Sequence, residues 1–176
     1  MSHDLFSSFA SIETSNSSVL LVRDVAGDYR QVDADEVLQA AQEVLLGRVR
    51  GDDVLASPQA VRDFLRVKLG TLEHEVFAVV HLDSQNRVID YVEMFRGTVS
   101  QTSVYPREVV RESMMRNSAA LLLVHNHPSG STQPSRADEM LTQTLKAALS
   151  LVDVRVLDHL IVAGSAILSM AERGLM

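Results

Sequence analysis

The alternation of hydrophobic and polar positions along the chain predicts helices first and strands afterwards. Apolar residues recur at helical spacing in 37–49 and again in 58–69, where Ser57 and Pro58 are a typical helix start. The pattern then changes to that of strands, with EVFAVVHL and VIDYVEMF joined by the turn residues 83–87. The sequence therefore predicts two amphipathic helices followed by a β-hairpin.

The rest of the chain alternates helix and strand patterns. Pro106 begins a predicted helix, and the near-continuous apolar run AALLLVHN is typical of a central strand covered on both faces. A second helix is predicted from Ser135 to about Leu151, followed by the strand VRVLDHLIVAG. An antiparallel hairpin combined with βαβ crossovers predicts an α/β domain of three layers, with a mixed β-sheet flanked by helices.

The N-terminal part is predicted to be a small extension of this domain. Residues 1–18 are Ser-rich and are expected to form a leader, and 19–32 are expected to form a short hairpin. A helix capped by Asp33 follows. We therefore assign residues 1–54 to a leader, hairpin and helix, and residues 55–176 to the α/β domain.

Composition narrows the possible chemistry. The 176 residues contain no cysteine, which excludes disulfides, cysteine nucleophiles, iron–sulfur clusters and thiolate zinc sites. A transition metal would therefore need His and carboxylate ligands. The net charge of −7 offers no general attraction for nucleic acid. No apolar run reaches the ~18 residues of a membrane span, and without an export signal we expect a cytoplasmic protein.

The segment HNHP is the most informative part of the sequence. His125 and His127 would point about 200° apart on a helix, but they lie on the same side of an extended chain. Pro128 favours an extended conformation for the residue before it, and an apolar strand leads into the segment. Both rings can therefore face one point at the carboxyl end of a strand, where open α/β sheets place ligand sites.

A carboxylate follows at a suitable distance. Asp138 lies at the start of a predicted helix, and Gly130 and Pro134 allow the preceding loop to turn back. Two His and one carboxylate leave a fourth tetrahedral position for water, which is the layout of a catalytic zinc site. Two simpler interpretations stay open, because Ser135 and Asp138 also form a helix-capping pair and the histidines could be surface loop residues.

Other protein classes with two nearby histidines fit less well. Amidohydrolases of this kind are α/β barrels of about 250 residues, which exceed this chain. The metallo-β-lactamase pattern HxHxDH is interrupted by Pro128 and Ser129. Iron oxygenases with two His and one carboxylate are usually all-β, whereas this sequence predicts several helices. Of the remaining histidines, His81 is expected to serve packing and His159 a buried polar role without ligation.

The segment HNHPSG followed by PSRAD resembles the JAMM motif of the JAB/MPN metallopeptidase superfamily. The segment VYPREVVRESMMRNSAALLLVHNHPSG and the strand RVLDHLIVAG resemble the bacterial RadC family, and the resemblance covers about residues 55–176. It implies the JAB/MPN fold, a mixed sheet between helices related to the cytidine-deaminase arrangement. It also implies a Zn²⁺ ion held by His125, His127 and Asp138.

The resemblance implies further roles at the same site. The family pattern has a glutamate at the start of a strand, which matches Glu75, and Glu73 is the fallback. Such a residue would act as a general base towards water and return the proton to the leaving amine. Ser135 would donate a hydrogen bond to the oxyanion. The implied function is a zinc-dependent hydrolase, a metalloprotease or isopeptidase-like enzyme acting on a peptide or protein.

The sequence also departs from the longer members of that family. Those members carry an upstream helix-hairpin-helix region that binds DNA, whereas no GxG motif occurs here and the N-terminal part resembles short RadC-like proteins of mobile elements. Together with the acidic charge, this departure argues against direct DNA binding. Two alternatives stay open: a DNA repair or recombination accessory protein without peptidase activity, and an inert JAB interaction module.

Overall fold

The computed structural model describes residues 20–23, 26–49, 58–97 and 103–176. Seven strands and four helices follow one another in these ranges: β1 (Leu20–Arg23), β2 (Tyr29–Val32), α1 (Ala34–Val49), α2 (Pro58–Leu69), β3 (Val76–Leu82), β4 (Val88–Arg96), α3 (Pro106–Met115), β5 (Ala120–Asn126), α4 (Arg136–Ser150), β6 (Arg155–Ala163) and β7 (Ala166–Ser169). Within the described ranges, no helix has the length and apolar character needed to cross a bilayer.

The chain divides into two compact units, one ending at Gln39 and the other beginning at Ala40. In the first unit β1 and β2 pair antiparallel, as predicted. The predicted cap of α1 is also present, since the Glu36 N–H donates to Asp33 Oδ1 at 2.8 Å and the Asp33 N–H donates to Glu36 Oε2 at 3.3 Å. The predicted leader, Ser57 and the predicted domain boundary at residue 54 lie outside the described residues.

The second unit contains a five-stranded sheet in the order β4-β3-β5-β6-β7. β3 is antiparallel to both β4 and β5, β5 and β6 are parallel, and β7 is antiparallel to β6. Helix α4 connects the two parallel strands, so the predicted mixed sheet with a βαβ crossover is confirmed. The sequence pattern did not predict β7, which has four residues and follows a tight turn at Gly164, whose φ is 56°.

Helices cover both faces of this sheet, which confirms the predicted three layers. Alternate strand residues point to opposite faces, so each face buries its own apolar cluster. On one face, buried side chains of α2 pack against buried side chains of β3 and β5. The helix contributes Val61, Phe64, Leu65 and Leu69, and the strands contribute Val76, Ala78, Val80 and Val124. On the other face, buried side chains of α3 and α4 pack against the same two strands. The helices contribute Val109, Leu145 and Leu149, and the strands contribute Phe77, Val79, Leu121 and Leu123.

The strand directions bring three segments to one edge of the sheet. Because β3 and β5 are antiparallel, the start of β3 lies beside the end of β5, and Phe77 pairs with His125. The loop after β5 returns the chain to the same edge, where α4 begins at Arg136. Residues far apart in sequence therefore meet at this edge.

A buried histidine on β3 gives the fold a dependence on pH. His81 is fully buried, its Nδ1 lies 2.8 Å from Ser118 Oγ, and its Nε2 has no hydrogen-bond partner among the described residues. Burial, with a contribution from Arg116, lowers the pKa of His81 to about 4. The ring therefore stays neutral in the folded protein, in agreement with its predicted packing role.

We expect this histidine to weaken the fold as the pH falls. Between pH 6.5 and the folded pKa of about 4, the unfolded chain binds a proton that the folded protein does not. From pH 6.5 to pH 5.0 the loss is about 1.5 kcal/mol in the free energy of unfolding. Urea denaturation of the wild type and of His81→Gln at both pH values gives the free energy of unfolding of each protein. The difference in this free energy between the two proteins should change by that amount between pH 6.5 and pH 5.0. A difference that does not change with pH would contradict the assignment.

Candidate metal centre

The two histidines of the HNHP segment face the same side of the sheet edge. His125 is a residue of β5, and the His127 N–H donates to Val162 O at 2.8 Å, so the ladder between β5 and β6 continues past the last strand residue. This extended backbone places both rings on one side, with their centroids 4.7 Å apart. His125 is buried and His127 is partly exposed.

Asp138 reaches the same point from the first turn of α4. Its Oδ2 accepts hydrogen bonds from the Ser135 N–H at 2.7 Å and from Ser135 Oγ at 2.6 Å, while the Asp138 N–H donates to Ser135 Oγ at 3.2 Å. Its Oδ1 lies 3.3 Å from His125 Nε2. The helix cap and the approach to the histidines therefore hold at the same time, because the carboxylate has two oxygens.

The three side chains form a compact group of acceptor atoms. One ligand atom from each of His125, His127 and Asp138 lies within 4.8 Å of the others, so the group could hold a metal ion. The His127 Nδ1 lies 2.7 Å from the carbonyl oxygen of Ser131, which can only accept a hydrogen bond. Nδ1 must therefore carry the hydrogen of this bond, so in the neutral ring the lone pair lies on Nε2.

The donor set fits a cation between the rings. The Nε2 atoms of His125 and His127 are 2.8 Å apart, a distance that needs either a shared hydrogen or a metal ion between the two nitrogens. The carboxylate of Asp138 adds a negative charge beside them. Two imidazoles and one carboxylate are the ligands of many catalytic zinc sites.

Burial and charge shift the pKa values of this group in different directions. Burial lowers the pKa of His125 to about 4, so this ring is neutral. The carboxylate of Asp138 raises the pKa of His127 against the opposing effect of burial. Burial also opposes ionisation of Asp138, but His127, His125 and the hydrogen bonds of Ser135 together hold its pKa below its usual range. Asp138 is therefore an anion at neutral pH.

A cavity of 480 Å³ opens onto this group. Glu75, which directly precedes β3, lines the cavity. Glu73 is exposed and does not line it. Phe77, Val104 and Leu141 form an apolar part of the wall. Of the two glutamates that the sequence left open for the role of base, the structure therefore brings only Glu75 to the cavity.

A comparison with known protein families identifies the family of this chain. A family model described as a RadC-like JAB domain matches residues 55–175, more than two thirds of the chain. The chain belongs to the RadC-like JAB family. The predicted resemblance and the predicted fold are thereby confirmed.

Curated relatives of this RadC-like JAB protein carry the name UPF0758 protein. The relative from Leptothrix cholodnii is 54% identical over 150 residues, which are 85% of this chain and 68% of the relative. The relative from Acidovorax sp. strain JS42 is 58% identical over 149 residues, 85% of this chain and 63% of the relative. The relative from Variovorax paradoxus is 48% identical over 165 residues, 94% of this chain and 73% of the relative.

Asn126 is a buried residue beside the two histidines that the sequence pattern did not single out. Its Oδ1 accepts a hydrogen bond from the Val76 N–H at 2.7 Å, and its Nδ2 donates to the carbonyl oxygen of His74 at 3.0 Å. The amide therefore holds the backbone on both sides of Glu75. Since Asn126 lies between His125 and His127, the same short segment that carries the two rings also positions the glutamate.

Ser135 is at the site, but its hydroxyl is engaged. The hydroxyl donates to Asp138 Oδ2, and its oxygen accepts from the Asp138 N–H, in a complete capping box. In this arrangement Ser135 orients the carboxylate. Its contact with an oxyanion stays a prediction.

Proposed function

We propose that this RadC-like JAB protein is a zinc-dependent hydrolase that cleaves an amide bond, either in a peptide or in an isopeptide linkage. The observation that carries the proposal is the convergence of His125, His127 and Asp138 beside a cavity that Glu75 also lines. This combination joins three ligands for one cation with a carboxylate suited to proton transfer. Because the chain has no cysteine, a metal ion would be held by histidine and carboxylate ligands. We propose zinc because imidazole and carboxylate are among its usual ligands in catalytic sites.

Each residue of the site has its own role in this reaction. His125, His127 and Asp138 would hold the ion, which supplies Lewis acidity that polarises a carbonyl and makes water a stronger nucleophile near neutral pH. The carboxylate of Glu75 accepts the proton from the attacking water and returns it to the nitrogen of the leaving amine. Ser135 Oγ orients Asp138 and, by rotating its hydroxyl, would donate to the carbonyl oxygen as negative charge develops there.

The lining of the cavity suits a substrate with both apolar and polar parts. Phe77, Val104 and Leu141 offer contact to the hydrocarbon part of a substrate. The polar residues Ser129, Ser131 and Gln133 supply hydrogen-bonding groups on the loop after the histidines: all three also line the cavity. A peptide or an acylated lysine side chain has both kinds of surface.

Arg111 of α3 and Arg116, which directly follows this helix, do not support a DNA-binding function. Arg111 lies 2.9 Å from Glu108, and Arg116 contacts both Asp90 at 2.5 Å and Glu112 at 2.8 Å. These carboxylates neutralise the charge that a phosphate backbone would need to meet. We therefore favour amide hydrolysis over the DNA accessory role.

The test is an activity assay with metal removal. The full chain, loaded with one equivalent of zinc, is incubated with a library of fluorogenic peptide amides and a second library of lysine isopeptides. We expect cleavage in at least one library, loss of cleavage with a chelator, and recovery with added zinc. A zinc-loaded protein that cleaves neither library would contradict the proposal, and binding of duplex DNA at low salt would then favour the accessory role.

A further inference from the structure

A chain of buried hydrogen bonds runs from the backbone of α4 to His125. The Thr142 Oγ1 lies 2.6 Å from the carbonyl oxygen of Asp138 and 2.6 Å from His159 Nδ1. The His159 Nε2 in turn lies 2.8 Å from His125 Nδ1. Thr142 and His159 are both fully buried, and neither of them lines the cavity at the site.

The direction of every hydrogen bond in this chain follows from its first acceptor. A carbonyl oxygen can only accept, and two oxygens 2.6 Å apart need a hydrogen between them, so the Thr142 hydroxyl donates to Asp138 O and not to Met170 Sδ at 3.8 Å. The hydroxyl has one hydrogen, so its oxygen must accept from His159, which places a proton on His159 Nδ1. An imidazolium without a paired anion is costly at a fully buried position, so the ring is neutral and its Nε2 carries a lone pair.

The last hydrogen bond then decides the protonation of His125. Because His159 Nε2 is an acceptor, His125 must donate from Nδ1, and the lone pair of its neutral ring lies on Nε2. This is the nitrogen that faces His127 Nε2 at 2.8 Å and Asp138 Oδ1 at 3.3 Å. In the metal-free protein the hydrogen between the two rings is therefore carried by His127 Nε2, beside the carboxylate of Asp138. The opposite tautomer would carry a hydrogen on Nε2, pointing at the place where a metal ion would bind.

We propose that Thr142 and His159 are positioning residues that fix His125 in the tautomer with Nδ1 protonated and Nε2 free to bind a metal ion. The carbonyl oxygen that starts the chain belongs to Asp138, so the relay links the backbone of one member of the metal-binding group to the ring of another. Hydrogen bonds to the outer nitrogen of a metal-binding histidine commonly set its tautomer and strengthen its binding. The proposal rests on the proposed function only for the use of the metal, since the tautomer is a property of the metal-free protein.

Thr142 offers a matched pair of variants. Thr142→Val keeps the shape of the side chain and removes the hydroxyl, whereas Thr142→Ser keeps the hydroxyl. In the valine variant His159 loses its acceptor at Nδ1 and is free to adopt the other tautomer, which would force a proton onto His125 Nε2. His159→Phe removes the acceptor for His125 itself and is a second variant for the same link.

The tautomer of His125 is read directly by long-range ¹H–¹⁵N NMR of the metal-free full chain at pH 7.5. We expect a protonated Nδ1 in the wild type and Thr142→Ser, and a mixed or opposite tautomer in Thr142→Val and His159→Phe. Zinc affinity, measured by competition with a fluorescent chelator, should fall about 10–100-fold in the last two variants and stay within about twofold in the serine variant.

Several results would overturn the relay. A protonated Nε2 on His125 in the metal-free wild type would do so without any variant, even if Thr142→Val failed to fold. An unchanged tautomer in a folded Thr142→Val or His159→Phe would do the same. A wild type with the expected tautomer but no zinc uptake would instead remove the proposed function and leave the hydrogen-bond relay supported.

Discussion

Replacing Glu75 with glutamine should lower amide hydrolysis by about 10²–10⁴-fold and leave zinc binding intact. Glutamine has nearly the same shape as glutamate, but its amide cannot accept and return a proton at neutral pH. Since Glu75 lines the cavity without belonging to the group of three ligands, its loss should affect turnover and not occupancy. Rates on the cleaved library substrate and zinc content per chain measure the two properties separately.

Glu73→Gln is the matched control for this experiment. Glu73 lies two residues earlier in sequence, is exposed, and does not line the cavity. We expect its substitution to leave the rate within about twofold, because surface changes of this kind rarely alter a site. Equal loss in both variants, or loss in Glu73→Gln alone, would contradict the assignment of the base. An inert interaction module would show no rate to lose in either protein.

Replacing His127 with alanine should remove metal binding and activity together. The remaining His125 and Asp138 supply two ligands, whereas a catalytic zinc site needs three from the protein. We expect the zinc affinity to fall by more than about 100-fold, a larger loss than that expected for residues that act through a ligand. His127 is partly exposed, so the fold should tolerate the change.

Thermal unfolding with and without zinc gives an independent measure of this loss. At a free zinc concentration of about 100 times Kd, binding to the folded state should stabilise the wild type by about 2.7 kcal/mol, and His127→Ala should gain nothing. His74→Ala removes a histidine ring outside the ligand group and is the control for unspecific metal binding. Equal stabilisation of the wild type and His127→Ala by zinc would show that the ion binds elsewhere.

Local patterns explain how much of the fold could be predicted. Elements with a clear apolar period or a cap signal, such as the helix that Ser135 caps and the apolar strand that contains His125, begin and end within a few residues of their predicted bounds. The short strand Ala166–Ser169 was not predicted, because four residues carry no period of their own. Its pairing depends on a neighbouring strand and on the turn at Gly164.

Some residues of the candidate site could also be predicted from local sequence patterns, and others could not. His125, His127 and Asp138 lie close together in sequence, so residue spacing and backbone preference allow them to meet at one point, and the resemblance to the JAMM motif implied that they form one ligand set. Asn126 and His159 were harder to interpret, because their roles come from hydrogen bonds to distant elements. Asn126 bonds to the backbone around Glu75, and His159 joins His125 to α4. A buried polar residue beside a candidate ligand is the signal that could have drawn attention to both.

The metal content of the purified protein tests the central claim most directly. The metal content of protein purified without chelator is measured by mass spectrometry. The same protein is then titrated with zinc in competition with a chelator, and the zinc that it retains is measured in the same way. We expect one zinc ion per chain, bound by a group that includes His125, His127 and Asp138, and its loss in His127→Ala. A wild-type protein that contains well under one ion per chain and takes up none would contradict the assignment of a zinc site.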